Sequence, residues 1–215
     1  MKNIFVLFFV VFSANAQLIR PIFGLGYSRN SQFSNSSYYN FKTVIEVNLK
    51  KIIKPEIELN YFLGGLDNQS NYNSQGSLID VFGREFSVLN IGFCPKIVVF
   101  EDEDQLYYFQ ILPKYNFSKI KATGEYLVVN QNNSSQSILE TEVLSDTKQS
   151  VGLGFGIVFK FSKNKKSDAL AINLLYQNID TGSLISKLNH NNSTINTKDV
   201  FSFEIVYYIN LSNKK

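Results

Sequence analysis

The chain has 215 residues, room for one domain or a tight pair at the usual domain size of about 150. Charged residues make up 18%, the formal net charge is +3, and 12 Tyr and 19 Phe stand beside no Trp. With only 4 Pro and 12 Gly, collagen-like and Pro-rich disordered material is excluded, and a small, unclustered charge gives no support to a nucleic-acid partner. Asn is abundant at 24 residues and favours turns and polar loops over strand and helix interiors, so much loop is expected between ordered stretches.

Residues 1–16 read as an export signal. Lys2 supplies the positive start, Ile4 to Phe12 form an apolar run too short to cross a bilayer as a helix, and Ala14-Asn15-Ala16 offers small residues before a cleavage ahead of Gln17. Residues 17–215 are then the mature domain. No later stretch is long enough for a transmembrane helix, and the lone Cys94 can make no internal disulfide.

From Leu18 onward the pattern has period two, which is strand geometry. The first strand is expected at residues 18–28 and the second at 41–49, where Phe41, Thr43, Ile45, Val47 and Leu49 oppose Lys42, Val44, Glu46 and Asn48. The third, residues 55–64, sets Ile57, Leu59, Tyr61 and Leu63 against Glu56, Glu58 and Asn60. The fourth, residues 85–94, is less regular; in the fifth, residues 105–118, Tyr107, Phe109, Ile111, Tyr115 and Phe117 oppose Gln110, Lys114 and Asn116. The sixth, residues 151–162, alternates Leu153, Phe155, Ile157 and Phe159 with Gly152, Gly154, Gly156 and Lys160. Residues 170–178 and 200–211 complete eight strands.

The second face separates the architectures. A soluble sandwich or lipocalin-like barrel buries its apolar face and solvates the other. Here the polar face carries Gly24, Gly26, Gly152, Gly154 and Gly156 among charges and amides, which suits a crowded interior, while the opposite face is continuously apolar, as lipid demands. The links agree: residues 50–54, 95–104 and 163–167 are short and charged, whereas 29–40, 65–84, 119–150 and 179–198 are long and rich in Asn, Ser and Gln. Such sorting is expected of an all-β, eight-stranded antiparallel up-and-down transmembrane β-barrel, with short periplasmic turns and long extracellular loops. A ten-stranded barrel, using residues 121–129 and 137–144 as a further hairpin, is the alternative. Outward Tyr27, Tyr61, Tyr107, Tyr115, Tyr176 and Tyr207 are the expected interface aromatics.

The signal ending Asn15-Ala16-Gln17, the segment Phe23-Gly24-Leu25-Gly26-Tyr27 and the segment Leu112-Pro113-Lys114-Tyr115-Asn116-Phe117 resemble the small outer-membrane β-barrel, or porin-family, proteins common in Bacteroidota, similar in architecture to OmpA and OmpX. The resemblance spans the mature chain. It implies a filled eight-stranded barrel in the outer membrane and no catalytic residue. Ser212 to Lys215 depart from the family pattern by following the last strand where a terminal aromatic is usual.

An eight-stranded barrel is just wide enough for its own side chains. Inward Lys42, Glu46, Glu56, Glu58, Lys114, Lys160 and Glu204 are therefore expected to form a paired interior network rather than an ion path. The only histidine, His190, sits in an Asn-rich loop tip with no evident nucleophile and acid beside it. Gly152 to Gly156 lack the helix and Lys of a phosphate loop, Glu101 to Asp104 read as a solvated acidic turn, and Cys94 as a small buried filler. No cofactor or metal is expected. The function expected is structural or surface-interacting, by a monomer bathed in outer-membrane lipid, with residues 119–150 and 179–198 offered to a protein or glycan partner. The alternatives are an outer-membrane lipid- or peptide-modifying enzyme and a soluble periplasmic lipocalin-like carrier of an apolar ligand.

Overall fold

The structure, a computed structural model, describes residues 19–30, 37–47, 52–129, 138–163, 167–191 and 198–210. The expected signal and its cleavage site lie outside the described residues, as do Ser212 to Lys215. Eight strands close into one barrel in sequence order: β1 (Ile19–Asn30), β2 (Ser37–Val47), β3 (Ile53–Tyr72), β4 (Leu78–Glu101), β5 (Tyr107–Val128), β6 (Ile138–Lys160), β7 (Ala169–Asn178) and β8 (Asp199–Tyr208). Every neighbouring pair is antiparallel, and β1 against β8 closes the ring with Ile22 opposite Tyr208 and Asn30 opposite Val200. Closure leaves no open edge within the ring, the condition for backbone polar groups to survive in hydrocarbon.

The strands differ in length. β3 to β6 run 20 to 24 residues, while β2 pairs with β3 only as far as Gly65 and β7 pairs with β6 only from Gly152. The far ends of β3, β4, β5 and β6 therefore project from the ring as a four-stranded sheet. The residues expected as loops at 65–84 and 119–150 are largely this sheet, and the 65–84 link shrinks to the turn between Tyr72 and Leu78. The expected hairpin at 121–129 and 137–144 continues β5 and β6, so the ten-stranded alternative does not hold.

β4, expected to end at Cys94, continues through Pro95 to Glu101. Pro95 lies opposite Pro55 of β3, and toward β5 the pairing passes from Phe93–Tyr115 to Ile97–Ile111, with Pro95 and Pro113 between. The three prolines sit together on adjacent strands, so the ladder bonds their missing N–H groups forgo are lost in one place.

Among the described residues between β7 and β8 lies a short helix, α1 (Gly182–Ile185). Its Leu184 and Ile185, with Ile179 and Leu188, pack onto Phe62, Leu66, Phe82, Phe86, Val88, Ile120 and Ala122. This apolar group closes the projecting end of the barrel. A second group, including Ile22, Val44, Tyr108, Val158, Val206 and Tyr208, fills much of the turn end.

Candidate functional site

The barrel is inverted in polarity over the height of the closed ring. Phe23, Leu25, Phe41, Ile57, Leu59, Ile91, Phe93, Phe109, Phe117, Leu153, Phe155, Leu174, Phe203 and Ile205 all point outward and are exposed. Between the apolar groups at the two ends, many of the inward positions are buried and polar: Asn40, Asn60, Asn90, Gln110, Asn116, Asn173 and Gln177 accompany the charged residues. A carrier of apolar ligands needs the opposite arrangement.

The sense switches at one height. Along β5, outward Tyr115 and Phe117 give way to exposed Lys119 and Lys121, while inward Asn116 and Ser118 give way to buried Ile120 and Ala122. Along β6, outward Val151 and Leu153 are preceded by exposed Ser145, Thr147 and Gln149. On β4, outward Ile91 and Leu89 are preceded by Ser87 and Glu85, and inward Asn90 by Val88 and Phe86. Just beyond the switch the projecting sheet turns a polar face outward, although Leu139, Val143 and Ile79 are exposed farther out, and the ring follows the rule of a body surrounded by lipid.

The charged interior is built from five strands. Lys42 of β2 lies 3.0 Å from Glu58 and 3.5 Å from Glu204. Lys114 of β5 reaches Glu58 at 2.8 Å, and Lys96 of β4 meets Glu56 at 2.6 Å and also Glu46. Around them, the Asn40 amide donates to Glu204 at 2.8 Å and the Gln110 amide to Asn173 at 2.9 Å. These groups are nearly inaccessible, and each carboxylate lies within ion-pair distance of at least one ammonium, the arrangement a buried charge requires. Lys160 is apart from this group. It lies at the turn end and pairs with Glu101 at 2.7 Å.

Lys96 is fully buried at the centre of two of these pairs and was not anticipated. It lies two residues beyond the expected end of β4 and behind a proline, and the only hint in the sequence was the excess of inward carboxylates. Arg20 and Lys54 were missed as well. Arg20 stacks 4.7 Å over the Tyr208 ring, and Lys54 stands 4.9 Å over the Tyr108 ring.

The glycines are interior spacers. A Cβ at Gly156 would fall inside the Asn173 amide, and one at Gly26 inside the Asn40 amide. Cys94 is buried against Leu112 and Leu175. Its sulfur, with Glu56 and Glu58, forms a set of ligand atoms within 4.8 Å of one another. Both carboxylates are already held by Lys96, Lys42 and Lys114, so a cation there would compete with three ammonium groups. In the acidic turn, Asp104 pairs with Lys163 and Asp102 accepts from the Tyr107 backbone N–H.

The six outward tyrosines are all partly exposed, and three have hydroxyls bonded along the rims. The Tyr115 hydroxyl donates to Gln149 at 2.8 Å, Tyr176 to Asp199 at 2.6 Å and Tyr207 to Asp168 at 2.9 Å. Tyr27 meets Tyr39 edge-on at 5.9 Å, Tyr107 meets Phe109 at 6.3 Å, and Tyr61 lies on β3 opposite Phe41 and Leu89.

His190 is not at a free tip. Its ring stacks on Tyr126 at 3.8 Å and 3°, and its Nε2 lies 3.4 Å from Glu140. The segment that carries it is tied to the projecting sheet. Lys148 contacts Asp180 at 3.0 Å and also Ser183, and the Asn189 N–H donates to Glu142 at 2.7 Å. Partial burial opposes ionisation of Asp180, but the Lys148 contact and the Ser183 N–H outweigh it and hold the carboxyl below its usual range. Partial desolvation, with the Asp80 carboxylate nearby, raises the Tyr126 phenol above its usual range.

A closed eight-stranded ladder with an apolar coat and polar, charged residues packed in its interior defines a transmembrane β-barrel. Among solved structures, the chain is similar to Neisserial surface protein A, with 8% identity over 90% of this chain and 96% of that one and a TM-score of 0.42. It is similar to a major outer membrane protein from Thermus thermophilus, with 10% identity over 89% and 99% and a TM-score of 0.49. It is also similar to Ail, the attachment invasion locus protein of Yersinia pestis, with 12% identity over 88% and 95% and a TM-score of 0.38. No family model matches the chain, and no curated protein matches it. The assignment of the fold stands on the closed ladder itself.

Proposed function

We propose that the protein is a non-enzymatic outer-membrane β-barrel that meets partners at the cell surface through its projecting sheet. Residues 1–16 direct export and are removed after Ala16, the turn end faces the periplasm, and the projecting end faces outward. The observation that carries this reading is the single height at which outward residues change from Phe117 to Lys119 while inward residues change from Ser118 to Ile120. Only a chain that leaves lipid for water there has reason to exchange its two faces. In this reading the interior is a plug: ion pairs fill the middle, and apolar groups close both ends.

Cell fractionation followed by gel mobility of heated and unheated samples tests the placement. Detergent dependence and heat-modifiable mobility are expected; recovery of the mature protein in the aqueous periplasmic fraction overturns it in favour of a soluble carrier. Steady ion-selective conductance from purified monomer in planar bilayers would overturn the plugged interior. The stacking and pairing of His190 support a structural role for it. Replacing it should leave lipid A and proteolytic profiles of the envelope unchanged.

A further inference from the structure

The inner face of the projecting sheet holds a cleft of about 410 Å³, lined by Gln69, Ser70, Asn71, Asp80, Phe82, Tyr126 and His190. Clefts of a few hundred Å³ are the size of small-ligand sites. We propose that this cleft binds an uncharged sugar residue of a surface glycan, a site that rests on the surface-interaction reading above.

Polar and apolar groups converge on the cleft from different elements. The Asp80 carboxylate accepts from the Asn71 amide at 2.8 Å, and the Tyr126 ring lines the same cleft. A carboxylate offers about four lone-pair sites, so acceptor capacity is left for a ligand hydroxyl. Gln69 and Asn71 bring amides, which both donate and accept, and Ser70 a hydroxyl. Beside them stand the rings of Tyr126, Phe82 and His190. A sugar has hydroxyls that donate and accept on its edge and an apolar C–H face, and the cleft supplies the counterpart of each. An anionic or sulfated ligand would meet Asp80 and Glu140, and an ammonium would leave the amide donors without a purpose.

A second observation marks the wall. His190 has φ 64°, a left-handed backbone that residues other than glycine seldom adopt. It is held there by the Tyr126 stack, by Glu140, and by the Asn189 N–H on Glu142. Behind it Arg84 donates to the Asp67 carbonyl at 2.7 Å and to Asn191 at 3.4 Å. The ring beside the cleft is thus held in place from several directions, which lowers the ordering cost of binding.

The test is saturation-transfer NMR on the detergent-folded full-length mature barrel. The probes are methyl β-glucoside, methyl α-mannoside, N-acetylglucosamine and, for contrast, a sulfated heparin-type disaccharide. Transfer to at least one neutral sugar is expected, weakened by about tenfold or more in Asp80→Asn, which removes a charge-assisted acceptor. Exposed Asn71→Ala should weaken it too and keeps the test open if Asp80→Asn folds poorly. Transfer to the sulfated probe alone, to no probe, or to a neutral sugar with both variants unaffected overturns the site. Those outcomes count against the cleft alone when the protein still shows heat-modifiable mobility; failure to insert in lipid counts against the underlying reading.

Discussion

Lys96 lies 2.6 Å from Glu56 in the barrel interior, with side-chain exposures of 0% and 3%. It also serves Glu46, so one ammonium holds two carboxylates drawn from β2 and β3. Removing one partner of a buried pair costs more than removing both, because the survivor keeps its charge without compensation.

Lys96→Met should therefore lower stability by about 3–5 kcal/mol. Adding Glu56→Gln and Glu46→Gln to it should restore part of that loss. Urea titration of the refolded barrel, followed by heat-modifiable mobility, measures both. A single substitution as mild as the triple one would show that the charges are solvated and that the interior is wetter than its packing implies.

Gly156 is opposite Asn173 and Gln110, and a Cβ there has nowhere to go. Gly156→Ala should cost about 1–3 kcal/mol through overpacking. Gly65 makes the control, since a Cβ there meets only the Arg84 carbonyl at an ordinary 3.5 Å. Equal midpoints for the two variants in urea would contradict the crowded interior.

Lys96 and Gly156 also mark where the sequence was and was not readable. The strands of the ring were legible because lipid outside and crowding inside impose period two on every position, and the glycines reported the crowding through their spacing. Lys96 was hidden by Pro95, which reads as a break, and by Ile97 to Phe100, where the alternation lapses. The projecting sheet was hidden for a different reason. Just above the switch its outward face carries Lys119, Lys121, Ser145 and Thr147, a composition shared with loops, and its apolar inner face is completed by Leu184, Ile185 and Leu188 from distant sequence. His190 looked isolated because Tyr126 and Glu140 reach it through that same tertiary contact.

The exchange of faces predicts where a charge is tolerated. Phe155, midway along the part of β6 that pairs with β7, is 57% exposed to the surroundings of the ring, whereas Thr147 sits on the same outward face above the switch. Phe155→Lys should impair folding into liposomes by about 2–4 kcal/mol, the cost of a lysine near the bilayer midplane. Thr147→Lys should be within about 0.5 kcal/mol of wild type, as surface changes usually are. Refolding yield into phosphatidylcholine vesicles separates the two, and equal tolerance of both lysines would remove the lipid boundary from this height.

Asp180 and Lys148 bind the segment around α1 to the inner face of β6, 3.0 Å apart. The folded carboxyl ionises below its usual range, so the contact stabilises fully above the unfolded-state value of about 4 and is lost as pH falls through the folded one. Both side chains are partly exposed, so the contribution is small and salt-sensitive. Amide hydrogen exchange at residues 182–188 should accelerate, after correction for intrinsic rates, as pH drops from about 5 toward about 3, and much less so in Lys148→Met, whose segment is already loosened. A corrected acceleration of the same size in Lys148→Met would mean that some other carboxylate, such as Glu142 on the Asn189 N–H, carries the acid sensitivity.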